Sequence, residues 1–95
     1  MLSKEDILDY LRNNLSKFKS KYEVNEIGLF GSYAKGIQCE TSDIDLIVDM
    51  PSKVRDFFAL KYELENYFNK DIDIINRKSL RLLVESEIQK EIIYA

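Results

Sequence analysis

Two short runs constrain this chain more than any other feature: DIDLIVDM at 43–50 and DIDII at 71–75. Each alternates acid and hydrocarbon residue by residue. That period of two belongs to a β-strand, whose side chains point to opposite faces in turn. In the first run Ile44, Leu46, Val48 and Met50 share one face, while Asp43, Asp45, Ile47 and Asp49 share the other. In the second, Ile72 and Ile74 oppose Asp71 and Asp73. Strands with one oily face need helices to cover it.

The rest of the chain supplies those helices. Ser3 followed by Asp6 reads as a helix cap, and Ile7, Leu8, Leu11, Leu15 and Phe18 recur at helical spacing, which predicts a helix over 4–20. VNEIGLF at 24–30 reads as a short strand, broken by Gly31–Ser32, and SYAKG as one or two helical turns. Pro51 ends the DIDLIVDM strand. A broad apolar stripe of Val54, Phe57, Phe58, Leu60, Lys61, Leu64 and Phe68 predicts a helix over 53–68, and Leu80, Leu83, Val84, Ile88 and Ile92 predict another starting at Ser79. The expected fold class is α/β (α+β), a small mixed sheet of about three strands with helices packed on it. With no repeat, linker or low-complexity segment, residues 1–95 read as one domain.

Composition narrows the chemistry. Lys+Arg is 14 and Asp+Glu is 17, a net charge of −3, so a general nucleic-acid binder is not expected. No apolar run approaches a membrane span, and MLSKEDILDY reads as a capped helix rather than a secretion signal. The one cysteine, Cys39, fits a reducing compartment, which makes the cytoplasm the expected location. The chain has no histidine, which removes Ser–His–Asp and Cys–His nucleophiles and most zinc sites. Any catalysis falls to carboxylates, backbone amides and a bound metal.

Asp43 and Asp45 stand roughly 6.5–7 Å apart along one strand face. Two anions there repel, and burial raises the cost. A divalent cation such as Mg²⁺, which takes one or two carboxylates with water and substrate phosphates, relieves both. If the DIDII strand is the neighbour, Asp73 reaches the same place, and three carboxylates from two strands make a two-metal centre. Read alone, a D-x-D strand with one wet face is also consistent with solvated acids.

Gly31–Ser32 follows a strand and opens a short helix. Such a turn offers free backbone N–H groups and a positive helix end to a phosphate. Gly31 permits close approach, and the Ser32 hydroxyl can donate. The spacing is neither a Walker A loop nor G-x-G-x-x-G. Taken alone, Gly-Ser more often marks an N-cap serine.

Together these features resemble a known family. GSYAKG followed by SDIDL is similar to the G-S-x(10)-D-x-D signature of the DNA polymerase beta-like nucleotidyltransferase superfamily, and the short length resembles its minimal nucleotidyltransferase (MNT, MntA-like) branch. The likeness runs from the first helix to the last. It implies a nucleotidyltransferase fold, with Gly31 and Ser32 on the β/γ-phosphates of a nucleoside triphosphate and Asp43 and Asp45 on Mg²⁺. It also implies Asp73 as the third carboxylate, holding the catalytic metal and helping to deprotonate an acceptor hydroxyl. Asp71, one alternation away, competes for that third role.

The resemblance further implies a partner. Minimal members are commonly encoded beside a helical HEPN protein, the toxin of a toxin–antitoxin pair, and transfer AMP from ATP to a tyrosine of it. The chain is therefore expected to be such an antitoxin enzyme, in a possible hetero-oligomer, with VESEIQKEIIYA at 84–95 as a candidate partner surface or the end of the core. Two alternatives stand beside it: neutralisation by contact alone, with the nucleotide site a relic, and transfer to a small molecule of the aminoglycoside kind. Lys35, Tyr33, Asp49 and the NRKSLR cluster (Arg77, Lys78, Arg81) are read as structural or surface residues, and Cys39 is given no role.

Overall fold

A computed structural model describes residues 2–79 and 92–95. Helix α1 spans Lys4–Tyr22 and starts where the sequence marks it. The Asp6 backbone donates to the Ser3 hydroxyl (3.2 Å) and the Ser3 backbone donates to the Asp6 carboxylate (3.0 Å), a reciprocal capping box. The helix stops at Glu23, whose left-handed backbone (φ 58°) turns its N–H back to the Phe18 carbonyl. Strand β1 (Glu26–Phe30) follows, then the single-turn helix α2 (Gly31–Lys35), strand β2 (Ile44–Asp49), helix α3 (Val54–Phe68) and strand β3 (Ile72–Asn76). A 3₁₀ turn occupies Arg77–Ser79, and strand β4 is Ile93–Tyr94.

The sheet runs β3-β2-β1-β4. Strand β1 pairs antiparallel with β2 and with β4, while β2 and β3 are parallel, joined through α3 as a crossover. Its hydrocarbon face is the one the alternation assigns. Ile44, Leu46, Val48 and Met50 are buried together with Ile27, Leu29, Ile72 and Ile74, against Ile7, Leu11 and Phe18 of α1 and Leu60 and Leu64 of α3. Asn76, buried at the end of β3, donates to the Met50 carbonyl (3.0 Å) and so ties the ends of the parallel pair.

Three expectations need correction. The sheet has four strands rather than three, because Ile93 and Tyr94 pair with Leu29 and Gly28. This edge comes close to the backbone of β1: a Cβ on Gly28 would lie 2.5 Å from Ile92 Cγ2 and 3.2 Å from Tyr94 Cδ1. Ile92, assigned to the C-terminal helix, lies in no helix, and Ile93 and Tyr94 after it extend the sheet. Leu80, Arg81, Leu83, Val84 and Ile88, assigned to that helix or its basic start, lie outside the described residues. Last, the apolar stripe of α3 is only half used. Leu60 and Leu64 are fully buried, whereas Val54 (71%) and Phe58 (56%) are exposed. Spaced four apart with Tyr62, they form a second row that points outward, because a helix on a thin sheet covers one stripe and no more.

The candidate active site at the ends of β1, β2 and β3

The acidic face gathers three segments. Strand β1 ends at Phe30, which pairs with Asp45 of β2, and Asp45 in turn pairs with Asp73 of β3. The parallel register thus puts Asp45 and Asp73 side by side on adjacent strands. Asp43 sits just before β2. Asp71 sits just before β3, its carbonyl accepting the Ile44 N–H (3.2 Å). Asp45 is half-buried, while Asp43, Asp71 and Asp73 are exposed.

The charges feel one another. Burial first, then the negative charges of Asp73 and Asp43, push the Asp45 carboxyl above the ordinary aspartate range. Neither an ion pair nor a hydrogen bond relieves the three carboxylates among the described residues. Nor do any three acidic side chains among those residues stand close enough, as they are, to hold an ion. Unneutralised oxygen ligands of this kind suit a hard divalent cation that would draw them together.

Beside them is the glycine–serine turn. Gly31 has a left-handed backbone (φ 76°), and a Cβ there would run into the Asp45 carboxylate. The N-cap of α2 is Phe30, with no side-chain cap. Ser32 therefore lies inside the first turn rather than capping it, so the N-cap explanation of Gly-Ser does not hold here. The helix closes at Gly36 (φ 73°), and the Ile37 N–H returns to the Ser32 carbonyl (3.1 Å).

The connector from α2 to β2 is a tight turn. The Ser42 N–H donates to the Cys39 carbonyl (3.0 Å), and the Cys39 N–H donates to the Ser42 hydroxyl (3.0 Å). Hydrogen bonds from Ser42 and then Thr41 lower the exposed Cys39 thiol to about 7. Lys70, between α3 and β3, spans to this turn: its ammonium donates to the Glu40 (2.7 Å) and Ser42 (3.2 Å) carbonyls. An open groove of about 640 Å³ runs past Asp43, Lys70 and Asp71, with Tyr62, Glu65 and Asn66 on its far wall.

Other residues singled out in the sequence lie away from this cluster or serve packing. Tyr33 is fully buried in the core. Arg77 donates to Glu26 (3.3 Å) and lies over the Tyr94 ring (5.3 Å). Lys35 and Lys78 are exposed, and Asp49 is half-buried at the end of β2. The residue that sequence reasoning passed over is Lys70. A single lysine after a helix carries no periodic signal, and its partners are backbone carbonyls remote in sequence.

An uncapped glycine turn beside acids on two parallel strands suits an enzyme that handles phosphate esters. Residues 11–95 match the nucleotidyltransferase domain family, and the chain belongs to it. The protein adenylyltransferase MntA of Thermococcus cleftensis is 32% identical over 97 residues, spanning 99% of this chain and 97% of that one. MJ1215 of Methanocaldococcus jannaschii, provisionally named a protein adenylyltransferase, is 40% identical over 83 residues, spanning 84% of this chain and 95% of that one. A solved chain provisionally described as a minimal nucleotidyltransferase superposes with a TM-score of 0.82 at 26% identity, covering 97% of this chain and 95% of that one. A chain from the solved complex of a tri-AMPylated Shewanella oneidensis HEPN toxin with an MNT antitoxin shares the fold, at a TM-score of 0.60 and 22% identity, over 96% of this chain and 66% of that one. Among the described residues, no helix is long and apolar enough to cross a membrane.

Proposed function

We propose that this chain is a Mg²⁺-dependent protein adenylyltransferase that moves AMP from ATP to a tyrosine hydroxyl of a HEPN-type toxin, and so acts as the antitoxin of the pair in the cytoplasm. The observation that carries the reading is the pairing of Asp45 with Asp73 beside the Gly31 turn. Further support comes from the names of the relatives, which are protein adenylyltransferases, and from the fold shared with an antitoxin bound to its AMPylated toxin.

In this reading Gly31 and the first-turn N–H groups of α2 take the β- and γ-phosphates, with the Ser32 hydroxyl donating to one oxygen. Asp43, Asp45 and Asp73 are the groups that would hold Mg²⁺, two ions in the full site. Bound there, the ions supply charge stabilisation on the α-phosphate and pyrophosphate and a lower pKa for the acceptor hydroxyl. Asp73, exposed at the rim, accepts the proton of the tyrosine hydroxyl. The phenolic oxygen then bonds to the α-phosphorus, the bond from that phosphorus to the bridging oxygen breaks, and pyrophosphate leaves. No histidine is required.

The test uses ATP labelled at the α-phosphate, Mg²⁺, this chain and the protein encoded by the neighbouring gene. Label on the toxin, lost when Asp43 and Asp45 become Ala, supports the reading. A tight complex with no label overturns it in favour of neutralisation by contact, and label on an aminoglycoside alone would move the acceptor to a small molecule.

A further inference from the structure

Three separate pieces make up the candidate site: the turn into α2, the connector before Asp43, and the β3 strand that carries Asp73. Lys70 is where all three meet. Its ammonium donates to the carbonyls of Glu40 and Ser42, the latter immediately before Asp43. It stands 6.0 Å from the ring centroid of Tyr33, which is buried two residues beyond Gly31. Its own backbone leads within three residues to Asp73. The connector has little else to hold it across the sheet end. Its turn bonds run inward, between Cys39 and Ser42, Gln38 reaches back to the Leu2 carbonyl (3.5 Å), and the backbone bond toward β3 among the described residues comes after Asp43, from the Ile44 N–H to the Asp71 carbonyl.

We propose that Lys70 is a positioning residue that fixes Asp43 relative to Asp45 and Asp73. Asp43 is exposed and lies outside the regular strand, so nothing in the ladder pins its carboxylate. Two charge-assisted bonds to the carbonyls of Glu40 and Ser42 instead fix the backbone from which it projects. Lysine suits the role: its three donors satisfy two carbonyls at once, on a flexible stem that reaches across the groove. The positive charge also stands at the rim of an acidic face without occupying a carboxylate, and so leaves the oxygens available to a cation. This inference rests on the reading of Asp43, Asp45 and Asp73 as metal carboxylates.

The experiment compares wild type, Lys70→Met and Lys70→Arg in three measurements. Hydrogen exchange at residues 42–44 reads the clasp with no metal present. Mn²⁺ titration followed by the electron paramagnetic resonance of the free ion, with a non-hydrolysable ATP analogue, reads the ligands. Label transfer to the toxin reads the chemistry. Lys70→Met should speed exchange at 42–44 and weaken Mn²⁺ half-saturation about ten- to a hundredfold, the scale seen when a group orienting a metal ligand is removed. Its melting temperature should stay near that of wild type, and Lys70→Arg should restore most of both losses. Wild-type Mn²⁺ affinity in Lys70→Met overturns the proposal. So does a loss that appears only with a fall in melting temperature and that arginine does not mend. Faster exchange in Lys70→Met, with no Mn²⁺ binding by wild type, overturns the metal reading of the carboxylates while leaving the clasp intact.

Discussion

Gly31 stands against the carboxylate of Asp45 with no room for a methyl group between them. The contact joins the end of β1 to the middle of the acidic face, through the pairing of Phe30 with Asp45. Gly31→Ala therefore meets two costs. The left-handed backbone costs about 1–2 kcal/mol with a Cβ, and the new methyl displaces the Asp45 side chain. Urea unfolding should show that loss of stability, and label transfer should fall further than stability alone explains. An alanine variant with wild-type transfer would show that close approach at this turn is unnecessary.

The register separates the two candidates for the third carboxylate. Asp73 is paired with Asp45, whereas Asp71 lies before the strand and faces the groove beside Asp43. Asp73→Asn should lower the rate of AMP transfer at least about a hundredfold, because metal stabilisation of transition-state charge is worth several kcal/mol. Asp71→Asn should retain most of the activity. Single-turnover transfer at saturating ATP checks this, and the reverse order would assign the role to Asp71.

Asp45 makes the metal-free protein sensitive to pH. Burial, then Asp73 and Asp43, raise its pKa in the folded state. A raised group contributes stability that is fully present below its unfolded pKa and is lost as pH rises through the folded value. Asp45→Asn, neutral throughout, should melt above metal-free wild type at neutral pH, with the gap closing as pH falls into the ordinary aspartate range. Added Mg²⁺ should raise the melting temperature of wild type but not of Asp45→Asn. Calorimetry across pH checks both, and a variant that melts lower at neutral pH would mean that the Asp45 charge is compensated in the fold.

Glu63 of α3 shows the opposite sign. Burial pushes its carboxyl up, but Lys17, the Tyr22 hydroxyl and Lys21 outweigh burial and hold it below the usual range. Lys17 stands 2.7 Å away, the Tyr22 hydroxyl donates at 2.9 Å, and Lys21 lies at 3.2 Å. A depressed carboxyl contributes stability above its unfolded pKa and loses it as pH falls through the folded value. Glu63→Gln should cost about 1 kcal/mol at neutral pH, a modest figure because both lysines are half in solvent. The difference should vanish in acid, which urea titrations at several pH values would show; transfer by the folded variant should be unchanged.

Much of this fold was legible because the signals are local. The capping pair Ser3–Asp6, the apolar spacing of α1 and the two acid–hydrocarbon alternations each lie within a few residues of chain. The elements they predict match the structure to within a few residues at either end. The residues Gly31, Ser32, Asp43, Asp45 and Asp73 stood out as candidates from a glycine–serine turn and acids on a strand, and the structure sets both Gly31 and Asp73 beside Asp45. Strand β4 was not legible, since two residues are too few to show a period. The outward row Val54, Phe58 and Tyr62 was not, since spacing marks a face but not what covers it.

By itself, then, the sequence determined which residues form strands and helices, which faces are oily, and that no imidazole is present to act as a base or a metal ligand. Those are properties of a residue and its near neighbours. Only the tertiary structure decided that Asp45 stands beside Asp73, that Gly31 is pressed against Asp45, and that Lys70 reaches a carbonyl 28 residues away. Strand register and crossover direction bring such groups together. They are set by how the whole hydrocarbon face packs under α1 and α3, and no short stretch of chain carries that information.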